Sequence, residues 1–299
     1  MKIAYIVLAH KLPGQLIRLI RTLDSSSATF LIHIDKKAEG SSYKKVSDTF
    51  ADAENVYFLE RRPIYYGDFN HVQSTLDGIH MLLELDISFD YVILLTGQDY
   101  PVKSQNDIQI FLDKNRGKSF MEYFLLPDER WGDEDGGLDR INYWHLNFRG
   151  NEFAYLKKKR ILKLVPDKLW NGFSRVFHFQ RKLPQNIKWY GGSAYWNLSR
   201  ECIEYIAAFV KENEDTVNFF KHAKISGEMF FQTVLLNSHL KESIVDDSLR
   251  YIEWSDSRHP AVFGKKDFGR LMESGNLFAR KFDSAEDAEI LKMIDQEIS

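Results

Sequence analysis

Residues 3–23, IAYIVLAHKLPGQLIRLIRTL, carry the reading on which the fold rests. Ile3 to Leu8 is an unbroken apolar run, which suits a strand buried on both faces, because a strand with one wet face alternates apolar with polar residues. Pro13 follows where a helix would begin, a place where its missing N–H costs nothing. Leu16, Ile17, Leu19, Ile20 and Leu23 then recur at helical spacing. The segment reads as a strand that leads into a helix.

The pattern repeats downstream. Thr29 to Ile34 (TFLIHI) is a second buried strand ending at Asp35, Asn55 to Leu59 a third, and Tyr91 to Leu95 (YVILL) a fourth. Val72, Leu76, Ile79 and Leu83 mark an amphipathic helix, and Ser104 with Asp107 three residues on predicts a capped helix start. Alternating strands and helices predict a parallel α/β sheet, in which ligands sit outside the carboxyl ends of the strands. That rule singles out Ala9-His10, Asp35-Lys36-Lys37 and Thr96 to Asp99. The first strand–helix turn, LAHKLPG, has no G-x-G-x-x-G, which argues against a dinucleotide oxidoreductase, and no Walker A loop is present.

With 299 residues, 44% of them hydrophobic, the chain can bury a sizeable core. A formal charge of −3 provides no overall field for nucleic acid. The single cysteine, Cys202, cannot form an internal disulfide and reads as a packing residue. The first apolar run is too short to cross a bilayer and lacks a cleavage site, and no other run approaches the length of a membrane span. The expectation is a cytoplasmic protein, at most peripheral to a membrane. Lys157 to Lys188 carries ten Lys or Arg against one acid, Asp167. It reads either as a solvated insertion or as a contact for anionic lipid or an anionic acceptor.

In the second half, WYGGSAYWNLSR is strand-like, Ser199 is placed to cap a helix bearing Ile203, Ile206, Ala207 and Val210, and a further helix is predicted from about Ser226 through Met229 to Leu236. Glu228 would then lie in a first helical turn, where the helix dipole favours an ionised carboxylate. From spacing alone it is either a general base or an acid that helps the helix begin. Arg258 and Lys281 lie in a C-terminal segment whose short polar and apolar pieces read as ordered loop. Trp131, Tyr143, Trp144, Trp189, Tyr190 and Trp254 sit beside polar residues, and such rings suit sugar faces as well as cores.

Seven motifs in order, AYIVLAHK, FLIHIDKKA, IYYGDFNHVQSTL, YVILLTGQDYPVKS, GGSAYWNLSRE, SGEMFFQTVL and SGNLFARKFD, resemble those of glycosyltransferase family 14. That family includes the core-2 and I-branching β-1,6-N-acetylglucosaminyltransferases and the peptide O-xylosyltransferases. The similarity covers most of the chain outside roughly 130 to 188. It implies a GT-A type fold of α/β class, with a central, mostly parallel sheet flanked by helices. It also implies inversion at the anomeric carbon without a metal or other cofactor. Carried over by motif, Val7, Leu8, Ala9, Asp35, Lys36, Lys37 and Tyr66 correspond to the uridine side of a UDP-sugar site. Glu228 corresponds to the catalytic base, matching at Ser226, Glu228 and Thr233. Arg258 and Lys281 correspond to two cations on the diphosphate, Glu122 and Arg130 to acceptor contacts, and Trp254 to an acceptor-stacking ring. Animal members carry a membrane anchor, a stem and many cysteines. Without these, the sequence resembles a bacterial member acting on a glycan or lipid-linked saccharide.

The resemblance implies one domain over 1–299, with a nucleotide-sugar half (1–126), a variable basic and aromatic insertion (127–188) and an acceptor and catalytic half (189–299). UDP-N-acetylglucosamine is the leading donor; UDP-xylose and UDP-hexoses are the alternatives within the family. A glycosidase would need a second carboxylate flanking the bond, and none is indicated. A non-catalytic nucleotide-sugar or glycan-binding protein would keep Asp35 and Tyr66 without requiring Glu228. Asp99 stands alone where many nucleotide-sugar enzymes place a metal-binding D-x-D. The expectation is that it orders the loop after its strand, while Asp133 and Asp135, the one D-x-D lookalike considered, fall in a polar turn.

Overall fold

The computed structural model describes residues 1–132, 135–148, 151–154, 181–184, 186–254 and 259–299. The strands are β1 (Ile3–Ala9), β2 (Ala28–Ile34), β3 (Val56–Phe58), β4 (Tyr91–Thr96), β5 (Asp99–Pro101), β6 (Ser119–Met121), β7 (Phe124–Leu125), β8 (His145–Phe148), β9 (Asn151–Ala154), β10 (Tyr190–Gly191), β11 (Trp196–Ser199), β12 (Ile244–Val245), β13 (Arg250–Ile252) and β14 (Phe278–Arg280). Seven of them form the central sheet in the order β12-β6-β11-β4-β1-β2-β3. Four of its pairings are parallel, and β11 runs antiparallel to both β4 and β6. The α/β class and mostly parallel sheet expected from the sequence are present. Strands from both ends of the chain share this sheet.

β1 shows why its sequence is continuously apolar. Ala4, Ile6 and Leu8 face one core, shared with Val72, Leu76 and Ile79 of a helix over Asn70–Glu84 and with Ile203 and Ile206 of a helix over Arg200–Glu212. Ile3, Tyr5, Val7 and Ala9 face the other, shared with Leu16, Leu19 and Ile20 of the helix Pro13–Leu23 and with Ile290 and Ile294 of the C-terminal helix Glu289–Ile298. With helices on both faces neither side of the strand meets water, so neither tolerates a polar residue. The predicted cap at Ser104 forms: its Oγ accepts the Asp107 N–H at 3.1 Å, and its hydroxyl donates to the Asp107 carboxylate at 2.6 Å.

The C-terminal segment departs from the loop expected of it. Arg250–Ile252 and Phe278–Arg280 pair in parallel, Phe268–Glu273 is a short helix, and Phe278–Arg280 also pairs antiparallel with Asp99–Pro101. Strands of three residues are too short to display a period of two, so the pairing is decided by partners far away in sequence. Trp189 and Tyr190, expected among loop aromatics, are buried in the core, with Tyr190 in β10. Arg258, Asp133 and most of the basic stretch 157–188 lie outside the described residues. Among the described residues no helix is long and apolar enough to cross a membrane.

The helix over Asn70–Glu84 approaches β1 most closely at Gly78, where an added Cβ would stand 3.0 Å from Ile6 Cδ1. Gly78→Leu is expected to overpack this contact and cost about 1–3 kcal/mol. A chemical-denaturation midpoint equal to wild type would contradict that.

Candidate active site

The first part of the site lies at the carboxyl ends of β1 and β2. Val7, Leu8 and Ala9 are buried, and the Ala9 carbonyl accepts the Asp35 N–H at 2.8 Å. Asp35 is itself buried and fastens the loop that follows: Oδ1 accepts the Lys37 N–H at 2.7 Å and Oδ2 the Ile64 N–H at 3.3 Å. Lys37 Nζ lies 3.6 Å from Asp35 Oδ2 and 4.1 Å from the centre of the Tyr65 ring. Lys36 and Tyr66 are exposed, Tyr66 at 79%. The sequence reading missed Arg61, whose guanidinium donates to the carbonyls of Ile34 (3.1 Å), Asp35 (2.9 Å) and Ala38 (2.9 Å) and so binds this loop to the strand end.

Positive charge gathers beside it. Lys11, Lys37 and Lys281 all act on His10, whose pKa burial holds below its usual value, with Asp35 opposing. Lys11 is paired with Asp283 at 2.5 Å. Burial lowers the Lys281 pKa first, and the neighbouring Lys11 and Arg280 charges lower it further. Arg280 faces Asp99 across β14 and β5, with Nη1 3.7 Å from Oδ1, an ion pair too long for a hydrogen bond. As expected, Asp99 also orders the turn after β4, its Oδ2 accepting the Thr96 N–H. Arg250 is buried nearby, where desolvation pushes its pKa down to about 10 against the opposing pull of Asp99. Tyr195 lies between the two guanidinium groups, 4.3 Å from Arg280 and 5.0 Å from Arg250. Arg250 donates to the carbonyls of Ser248 and Leu94, so Arg280 alone is ion-paired with Asp99 within 4 Å among the described residues, and Arg280 Nε and Nη1, Arg250 Nε and Asp99 Oδ1 have no hydrogen-bond partner.

Glu228 is reached from this cluster through His71. Burial lowers the His71 pKa to about 4, with Arg280 as its nearest cationic influence, so the ring is neutral near pH 7. The ring packs on Gly227, where a Cβ would come 2.7 Å from Nδ1. The segment around Glu228 is tied on three sides. The Gly67 carbonyl, next to Tyr66, accepts the Ile225 N–H at 3.0 Å, the Arg140 carbonyl accepts the Lys224 N–H at 2.8 Å, and the Glu228 carbonyl accepts the Gly192 N–H at 3.0 Å. Gly192 leaves no room for a side chain, since its Cβ would overlap the Glu122 carbonyl oxygen at 1.9 Å. These backbone contacts bring Glu122 beside Glu228.

Glu228 does not lie in the first turn of an α-helix, so no helix dipole supports its charge. Ser226–Glu228 is a separate 3₁₀ turn, and Met229 at φ −136° breaks it from the helix Phe230–Leu236. The carboxylate is held instead by Arg140, whose Nη1 donates to Oε2 at 3.0 Å. Burial raises the Glu228 pKa, Arg140 opposes that rise, and Glu122 adds to it. Glu122 is also raised, by burial and then by Asp246, with Arg130 opposing. Arg130 is forked onto Asp128 at 2.9 and 3.0 Å and stacks on Phe124. Trp254, 68% exposed, forms an antiparallel bridge with Pro260, and the Ala261 carbonyl accepts the Lys281 N–H at 3.3 Å. Of the anticipated residues, Asp35, Lys37 and Lys281 converge at one end, Glu228, Glu122 and Arg130 at the other. Arg61, Arg140, Arg250 and Arg280 were not anticipated. Only the adjacency of Arg280 to Lys281 signalled any of them in the sequence. Among the described residues no group of three His, Cys, Asp or Glu side chains is arranged to hold a metal ion.

A family model for the core-2/I-branching enzyme matches residues 3–272. The chain belongs to that family. Xylosyltransferase 2 from Rattus norvegicus is 27% identical over 98% of this chain and 33% of its own length. The N-acetyllactosaminide β-1,6-N-acetylglucosaminyl-transferase of Homo sapiens is 26% identical over 94% of this chain and 68% of its own. The chain therefore spans about a third of the length of the xylosyltransferases it matches. A galactosyltransferase solved with donor and acceptor sugar analogs is 9% identical, covers 99% of this chain and 96% of its own, and superposes with a TM-score of 0.42, a likeness too slight to add to the family assignment.

Asp99→Asn is expected to leave Arg280 without its paired carboxylate in the interior, at a cost of about 3–5 kcal/mol. Asp283→Asn should cost under about 1 kcal/mol, because its partner Lys11 is 39% exposed and can turn to water. Equal melting temperatures for the two variants would refute the contrast.

Proposed function

We propose that this chain transfers a sugar from a UDP-sugar, UDP-N-acetylglucosamine first among candidates, to a hydroxyl of a glycan acceptor, with inversion and without a metal. Glu228 is the general base. The reading is carried by a half-buried carboxylate of raised pKa, 32% exposed and fastened through Gly67 to the loop bearing Tyr66. It is linked through His71 to buried cations with unfilled donors. A base works best when its pKa approaches the working pH, and burial moves Glu228 in that direction.

In this reading the donor's uridine lies against the ends of β1 and β2 near Asp35, Lys37 and Tyr66, and its diphosphate against Lys281, with Arg258 as a further cation. Arg280 adds fixed positive charge at the same place. Prepositioned cations stabilise negative charge as it develops on the leaving phosphate without having to reorganise. Glu122, Arg130 and Trp254 are assigned to the acceptor. The names of the relatives, a xylosyltransferase and an N-acetylglucosaminyl-transferase, support sugar transfer and leave UDP-xylose and UDP-hexoses as alternative donors.

The test is UDP release from a panel of UDP-sugars. Glu228→Gln should lower turnover about 10²- to 10⁴-fold while leaving donor affinity intact. The wild-type rate should also fall as the pH drops through the raised Glu228 pKa, because only the ionised carboxylate can take a proton. A rate in Glu228→Gln equal to wild type would remove the base assignment, and loss of activity in EDTA with rescue by manganese would remove the metal-free one.

A further inference from the structure

Arg140 occupies one oxygen of Glu228 and leaves the other. Its Nη1 donates to Oε2 at 3.0 Å, and among the described residues nothing donates to Oε1. The guanidinium is itself held, with its carbon 3.5 Å from the centre of the Trp131 ring and only 13% of the side chain exposed. Trp131 packs closely on two glycines. A Cβ at Gly137 would stand 2.2 Å from its Cε3, and one at Gly191 2.3 Å from its Cη2. Phe124 closes on the ring edge-on at 4.9 Å. A stacked arginine on a fixed indole is a rigid donor, since its planar fork is already oriented.

We propose that Arg140 is a positioning residue for the reaction. It clamps Oε2 so that Glu228 presents Oε1 to the acceptor hydroxyl in a fixed direction and in the ionised form. This rests on Glu228 being the base. In the step itself, Oε1 takes the hydroxyl proton as the acceptor oxygen bonds to the anomeric carbon, and the bond from that carbon to the phosphate oxygen breaks with its electron pair leaving on UDP.

The charged and titratable groups facing Glu228 are few. Arg140 comes from the helix Asp139–Asn142, Glu122 from the residue after β6, and His71, neutral, from the helix Asn70–Glu84, with Lys224 preceding on the same segment. Burial and Glu122 both disfavour ionisation, so Arg140 is the group that favours it. Removing its side chain leaves the backbone tie intact, since Lys224 bonds to the Arg140 carbonyl. Side-chain variants should therefore fold.

The experiment uses the full chain labelled with ¹³C at glutamate carboxyl carbons, the Glu228 signal being assigned by its loss in Glu228→Gln. Arg140→Gln should raise the Glu228 titration midpoint by about 1–3 pH units, the usual effect of losing an adjacent opposite charge. Arg140→Lys should raise it less, because the cation remains while the stacked fork is lost. Release of UDP from UDP-N-acetylglucosamine, with water as acceptor, should show its acidic limb displaced by the same amount, with KM for the donor unchanged. Trp131→Leu, which removes the stacking surface and leaves both charges, should shift the limb in the same direction. If the midpoint or the limb of Arg140→Gln stays at the wild-type position, the proposal is overturned. A Glu228→Gln variant with the wild-type rate would instead overturn the general-base reading beneath it.

Discussion

A carboxylate with no exposed surface needs an opposite charge or hydrogen bonds, and Asp99 has both, with Arg280 Nη1 3.7 Å from Oδ1 and the Thr96 N–H donating to Oδ2. The pair Asp99–Arg280 spans β5 and β14, so it joins the turn after β4 to a strand 181 residues later. Lys281 follows at once, and its backbone bonds to Ala261 and Phe263. Arg250 is buried nearby as well, its guanidinium on backbone carbonyls, so the buried positive charge there exceeds the single carboxylate.

The end of the site around Glu228 is governed by crowding of the backbone. Gly192 lies against the Glu122 carbonyl, Gly227 against His71, and Gly137 and Gly191 against Trp131. Each of these glycines is required because another atom occupies the place of its side chain, and together they let Glu122, Arg140 and Glu228 approach one another. Helical geometry contributes little, for Glu228 sits in a 3₁₀ turn and its charge is supported by Arg140. The aromatic ring that looked like a sugar platform at Trp131 has its faces taken by glycines and an arginine. Trp254 keeps its exposed surface.

The sequence by itself determined the α/β class, the first four strands and the helices over Pro13–Leu23 and Asn70–Glu84, because these carry a continuous apolar run or a helical period that can be read locally, whereas the helix Gly40–Thr49 was missed. It also singled out the strand ends at Ala9, Asp35 and Asp99, since in a parallel sheet those ends share one edge by construction. Glu228 and Lys281 became legible through motifs in a shared order. Tertiary structure alone decided their partners. Arg140 and Glu228 are 88 residues apart, and Arg280 and Asp99 are 181 apart. No local pattern encodes such pairs, because a salt bridge needs only two side chains at the right place and leaves no period behind. The three-residue strands of the C-terminal segment were hidden for the same reason: their pairing is specified by what they lie against.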